Sequence, residues 1–155
     1  MTEADIQHCI VRTLFTYRRC VCVPNVDWGF LPWEADLVVL HASGYADEIE
    51  IKISVSDLRR DKNKAHHHTR EILPKGQRIR SRYYAAPEAV LARIRAGDVP
   101  ADAGIIAVAE VNGRLRAEVT RKAKAFAHAR KLTPEEKYKL ARLGCLRYWS
   151  QVLRT

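Results

Sequence analysis

Trp33-Glu34-Ala35-Asp36-Leu37-Val38-Val39-Leu40 and, a little further on, Glu48-Ile49-Glu50-Ile51-Lys52-Ile53-Ser54 decide how this chain reads. In the second stretch alternation is strict. Ile49, Ile51 and Ile53 turn to one side and Glu48, Glu50 and Lys52 to the other, because successive side chains of a strand face opposite ways. Two strands are expected, Ala35 to His41 and Asp47 to Ser54, separated by Ala42-Ser43-Gly44-Tyr45. Gly44 supplies the backbone freedom of a turn, so the pair reads as a β-hairpin. A turn centred near Ser43-Gly44 opposes residues whose numbers sum to about 86 or 87, which sets Asp36 beside Glu50. Directly opposed side chains have Cβ atoms about 4.5–5.5 Å apart. Two carboxylates that close repel by roughly 4 kcal/mol at about 4 Å and an effective dielectric of about 20. Either one binds a proton or a cation sits between them.

Magnesium takes oxygen ligands and is commonly held by one or two carboxylates, water and a substrate phosphate. Lys52, on the face of Glu50, can orient an attacking water or offset charge developing on a phosphate. A bound metal would make that water more acidic and polarise the phosphoryl oxygen. The competing reading is that Glu48, Glu50 and Lys52 form the solvated face of an amphipathic strand. An E-x-K triplet alone does not separate the two. An aspartate delivered by the hairpin, with apolar flanks on both strands, favours a chemical centre.

Working outward, Thr2 with Asp5 forms a capping pair for a first helix running to about Arg18, with Ile6, Ile10, Leu14 and Tyr17 at helical spacing. Val21 to Val23 predicts a short strand ended by Pro24-Asn25. Ser54 and Asp57 cap a basic helix expected to reach about His68, broken by Leu73-Pro74-Lys75-Gly76. Arg82 to Ala86 reads as a strand stopped at Pro87, and Glu88 to Ala96 as a helix ended by Gly97. Ala103 to Ala109 is a continuous apolar strand of the kind buried on both faces. Asn112-Gly113 is a hairpin turn leading into Leu115 to Val119. Thr133, Pro134 and Glu136 start a last helix, about 133–153.

The 155 residues suit one domain with a hydrophobic core, residues 1–155 throughout. No apolar run approaches the roughly 18–20 residues of a membrane-spanning helix. Met1 to Arg12, interrupted by Glu3, Asp5, Gln7 and His8, does not read as a signal peptide, so a cytoplasmic protein is expected. Net charge is +9. Arg59, Arg60, Lys62, Lys64, Arg70, Lys75, Arg78, Arg80 and Arg82 cluster against only Asp61 and Glu71, which points to a polyanionic partner. Cys9, Cys20, Cys22 and Cys145 lack zinc or disulfide spacing and are expected as buried, reduced thiols.

The D…E-x-K pattern of Asp36, Glu50 and Lys52 resembles that of the PD-(D/E)XK nuclease superfamily. Ala35-Asp36-Leu37-Val38, Glu48 to Asp61, Tyr83-Tyr84-Ala85-Ala86-Pro87 and Pro100-Ala101-Asp102-Ala103-Gly104-Ile105-Ile106 are similar, more narrowly, to the MmcB family of nucleases ascribed to DNA repair. The likeness runs from about Glu3 to Ala129. It implies an α/β fold with a restriction-endonuclease-like αβββαβ core, a mixed central sheet flanked by helices. It also implies catalytic Asp36, Glu50 and Lys52, and Mg²⁺ or Mn²⁺ held by Asp36, Glu50 and the Ile51 carbonyl. An acid of the first helix often joins such a site; Glu3 is the candidate and Asp5, which also reads as a cap, the second choice. Two departures stand out. Ala35 replaces the proline usual before the first aspartate, and His66 to Arg82 is longer and more basic, which leaves substrate preference open.

Arg59, Arg60, Lys62 and Lys64 would contact phosphates, which position a nucleic acid without reading its sequence. Trp28, and less so Phe30 and Trp33, could stack on bases, with packing against the sheet as the rival account. His66-His67-His68 cannot chelate one ion on a regular helix, since neighbours diverge by about 100°. Tyr138, Leu140, Leu143, Tyr148 and Trp149 suit a core or dimer surface. The sequence therefore predicts a metal-dependent DNA nuclease of repair, recombination or a mobile element, with RNA and a homodimer left open. The alternative is a non-catalytic nucleic-acid-binding module on the same fold; a protein-interaction domain comes third.

Overall fold

In the computed structural model, residues 1–27, 29–61 and 77–153 are described. Thr2 caps α1 (Glu3–Ile10) through the reciprocal Thr2–Asp5 box, and the helix continues as a π-helical turn over Val11–Phe15. Then come β1 (Val21–Val26), β2 (Ala35–Leu40), β3 (Ala46–Ile51), α2 (Val55–Asp61), β4 (Ile79–Pro87), α3 (Glu88–Leu91), β5 (Gly104–Val111), β6 (Arg114–Arg121) and α4 (Pro134–Val152). The six strands form one sheet in sequence order. β1, β2 and β3 pair antiparallel, β3, β4 and β5 parallel, and β5 and β6 antiparallel. The protein is thus a mixed α/β domain, and its leading elements follow the expected αβββαβ order.

Each sheet face has its own core. Ile6, Cys9 and Ile10 of α1 cover Leu37, Val39, Ile49, Ile51, Ala85, Ile106 and Val108. Leu140 and Leu143 of α4 cover Val23, Val38, Leu40, Ala46 and Ile79 on the opposite face. A smaller cluster of Leu58, Tyr84, Val99 and Ala103 closes the region beside α2. Among the described residues no helix is long and apolar enough to cross a membrane.

Several boundaries differ from expectation for identifiable reasons. Pro24 does not end β1, which continues to Val26; β1 lies at the sheet edge, where a missing N–H costs no ladder bond. β3 stops at Ile51, and Ile53 is half exposed rather than core. β4 begins earlier than Arg82, at Ile79, because parallel pairing with β3 starts there. α3 spans only Glu88–Leu91, and the chain leaves it through turns before Gly97 at φ +85°. β5 is not sealed on both faces: Gly104, Ile106 and Val108 are buried and alternate with half-buried residues. The Asn112-Gly113 turn, with both φ values positive, and the Thr133–Glu136 capping box form as read.

Gly104 pairs in register with Tyr83, whose ring lies over it. A Cβ there would meet the ring at 2.2 Å and the Ala123 backbone nitrogen at 2.9 Å. The ring can swing aside but the backbone cannot. Gly104→Ala is therefore expected to lower stability by about 1–3 kcal/mol, read as a lower urea midpoint at unchanged slope.

Candidate active site

The hairpin places the three central residues together. Leu37 pairs with Ile49 and Val38 with Glu48, so the same register continued by one residue sets Asp36 opposite Glu50. Asp36 Oδ2 accepts a hydrogen bond from the Ile51 N–H at 2.6 Å. Lys52 Nζ lies 3.1 Å from Glu50 Oε2, and the Lys52 N–H donates to the Ala85 carbonyl at 2.9 Å, which ties the end of β3 to β4. From α1, Gln7 Nε2 donates to the Asp36 carbonyl at 2.8 Å and to Asn25 Oδ1 at 3.0 Å. The aspartate's backbone is thereby anchored to the helix as well as to the sheet.

The solvated-face reading fails. Glu48 is 0% exposed, Glu50 4% and Lys52 5%. They sit on the sheet face of Val38 and Ala46, beside α2 and Tyr84, which is level with Glu50 in the β3–β4 register. Asp36 is half-buried. Burial, followed by the charge of Glu50, pushes its carboxyl up to about 7, against the pull of the Ile51 N–H and Lys52. The charge of Glu3 adds to the same upward push. Asp5 is occupied with the cap, where hydrogen bonds to Thr2 hold its carboxyl below the ordinary range. Of the two first-helix acids, Glu3 is the one whose charge reaches Asp36. Among the described residues no group of three or more His, Cys, Asp or Glu side chains is arranged to hold a metal ion; the candidate set is two carboxylates and a backbone carbonyl.

One part of the site was not legible in the sequence. Glu48, fully buried, accepts from Trp33 Nε1 at 2.6 Å and from Arg82 Nε at 2.9 Å, and the Arg82 guanidinium lies over the Trp33 ring. This pair underlies the row next to Glu50. Only the β3–β4 register, which aligns Glu48 with Arg82, could have revealed it.

The flanking candidates divide. Arg59 and Arg60 are exposed on α2, and Arg59 Nε reaches Asp98 Oδ2 at 3.4 Å. Lys62, Lys64, Trp28 and His66 to His68 lie outside the described residues. Phe30 is buried in the α4-side core and Trp33 packs against it, so packing rather than base stacking accounts for both. Arg78, Arg80 and Arg82, counted within the basic cluster, are paired with Glu136, Asp47 and Glu48. Leu140 and Leu143 are core, whereas Tyr138, Tyr148 and Trp149 are exposed. The expectation of buried thiols holds for Cys9; Cys20 and Cys22 are half-buried and Cys145 is exposed.

No family model matches the chain, and no curated protein matches it. Among solved structures it is similar to the SPO1766 protein of unknown function from Silicibacter pomeroyi. The TM-score is 0.64 at 17% identity, covering 98% of this chain and 89% of that one. At that identity the likeness shows the fold alone.

The raised Asp36 carboxyl has a consequence for stability. Between its ordinary value of 3.8 and about 7, the folded chain holds a proton that the unfolded chain has released. The fold therefore loses stability as pH rises through that window, and the loss is complete above it. Asp36→Asn retains an acceptor for Ile51 without the charge. In chelator it is expected to raise the urea midpoint at pH 8, by a gain on the order of 2–4 kcal/mol. That gain should vanish near pH 4. A variant less stable than the parent at pH 8 would contradict this account.

Proposed function

We propose that the chain is a Mg²⁺- or Mn²⁺-dependent nuclease of the PD-(D/E)XK kind, similar to the MmcB family, that hydrolyses phosphodiester bonds in DNA. The observation that carries this reading is the convergence of Asp36, Glu50 and Lys52 in a nearly closed part of the sheet, where apolar residues would pack at lower cost. Taking charges out of water costs several kcal/mol per ion, on the order of what a buried pair recovers. A group retained against that cost is a candidate for chemistry.

The residues fit the ion. Asp36, Glu50 and the Ile51 carbonyl offer an all-oxygen set, which suits a hard divalent cation. Asp36, titrating near neutrality beside Glu50, is the carboxyl that would release its proton as the cation binds. Glu3 would add a further charge from α1. The ion supplies Lewis-acid polarisation and a more acidic water. Lys52, fixed between Glu50 and the Ala85 carbonyl, holds its ammonium where negative charge would grow on a scissile phosphate. Arg59 and Arg60, exposed on the helix that follows, would meet flanking phosphates. A cytoplasmic role in repair, recombination or a mobile element fits such an enzyme, as does a homodimer that cuts both strands. The second reading, a binding module on the same fold, is served by the exposed arginines but gives the buried acids no task.

The test uses linear, nicked, branched and single-stranded DNA, and RNA, with Mg²⁺, Mn²⁺ or EDTA. Metal-dependent cleavage is expected, falling about a hundredfold or more in Lys52→Ala and Asp36→Ala, with DNA affinity retained. Binding with no cleavage of any substrate would favour the module. Affinity indifferent to salt would remove both readings, since phosphate contacts release counterions.

A further inference from the structure

Cys20, His41 and Asp47 form a second polar cluster at the far end of the β2–β3 hairpin. His41 lies five residues beyond Asp36, about 17 Å along an extended strand. Cys20 Sγ is 3.6 Å from His41 Nδ1, and His41 Nε2 is 2.7 Å from Asp47 Oδ2. Asp47 is buried, and Arg80 secures it with Nε–Oδ1 and Nη2–Oδ2 bonds of 3.2 and 2.9 Å. The Phe15 ring meets the imidazole edge-on at 6.2 Å between centroids.

A carboxylate accepts only, so the hydrogen shared with Asp47 is assigned to His41 Nε2, and in that tautomer Nδ1 is the acceptor that faces the thiol. The thiol and the carboxylate lie on opposite nitrogens of the ring. They cannot close on one metal ion, but they make a relay of nucleophile, base and orienting acid. The groups facing Cys20 are otherwise Arg18, whose charge favours the thiolate, and Asp47, which opposes it; Cys22 lies beside it. Burial pushes the Cys20 thiol up, so little thiolate forms unaided and reactivity depends on the base.

We propose that Cys20 is a base-assisted nucleophilic thiol and a site of covalent modification by hydroperoxides. His41 Nδ1 takes the thiol proton while sulfur attacks the distal peroxide oxygen. The S–O bond forms as the O–O bond breaks, and the departing hydroxide or alkoxide recovers the proton from the imidazolium to leave as water or alcohol. Sulfur is oxidised by two electrons to the sulfenic acid and the peroxide is reduced by two. The inference stands apart from the nuclease reading, since it uses none of the same side chains.

The full chain provides its own reference, because Cys145 is exposed while Cys20 is half-buried. With hydrogen peroxide as probe and dimedone to trap sulfenic acid, peptide mass spectrometry reads each thiol separately. Cys20 is expected to label about tenfold or more faster than Cys145, since general-base assistance is typically about a hundredfold or more and the partial burial of Cys20 takes back part of it. His41→Phe, which keeps an aromatic ring beside Phe15, should bring Cys20 down to the Cys145 rate or below it. Asp47→Asn should slow Cys20 several-fold, with Cys145 unchanged in both variants as the check on folding. If Cys145 keeps pace with Cys20 in the parent chain, or if neither substitution slows Cys20, the proposal is wrong. Should His41→Phe alter near-ultraviolet dichroism, Asp47→Asn decides.

Discussion

Everything distinctive about this molecule depends on the pairing of β2 with β3. That pairing joins the antiparallel β1–β2–β3 hairpins to the parallel β3–β4–β5 half, and it is the step by which a carboxyl near the start of β2 meets the end of β3. The Ile51 N–H that Asp36 accepts is a backbone donor at the strand's last residue, where the ladder leaves it available to a side chain. A slip of β2 by one residue would turn Leu37 and Val39 out of the α1-side core and swing Asp36 to the face opposite Glu50. The apolar packing of Leu37, Val39, Ile49 and Ile51 under α1 therefore specifies the register, and the register specifies the polar site.

The polar side of the same strands shows how the fold accommodates charge. Glu48, Glu50 and Lys52 are buried, yet each is answered: Glu48 by Arg82 and Trp33, Glu50 by Lys52. Asp36 differs in kind, because the donor that meets its carboxyl is the neutral Ile51 amide and the charge that acts on it most strongly is another carboxylate, Glu50. This asymmetry separates a buried charge with an opposite partner from a carboxyl set against another of like sign. It follows from position, since Glu48 faces the arginine of β4 and Asp36 faces Glu50.

The same principle revises the meaning of the net positive charge. Arg78, Arg80 and Arg82 lie close together in sequence and look like part of a polyanion-binding stretch. On β4 and just before it, they reach Glu136, Asp47 and Glu48 instead. Arg80 in turn steadies Asp47 at the other end of the hairpin, where His41 and Cys20 meet it. Charge counted along a chain says how much basic surface could exist; pairing across the sheet says how much is left. Among the described residues of that stretch, Arg59 and Arg60 on α2 remain exposed, and Arg59 is itself 3.4 Å from Asp98 Oδ2.

Alternation, turn chemistry and capping were enough, from the sequence alone, for the hairpin, its register, the first and last helices, the Asn112-Gly113 turn and the meeting of Asp36 with Glu50. These are local matters: a strand's period is two, a glycine turn sets which residues oppose, and a capping box needs only four neighbours. Tertiary structure alone decided that the polar face of β3 is buried, that Arg82 belongs to Glu48, that Pro24 can sit within an edge strand, and that Cys20 stands against His41. Each depends on which strand or helix lies alongside, a relation between residues far apart in the chain. Such relations are set by how the two cores pack, which no short window of sequence contains.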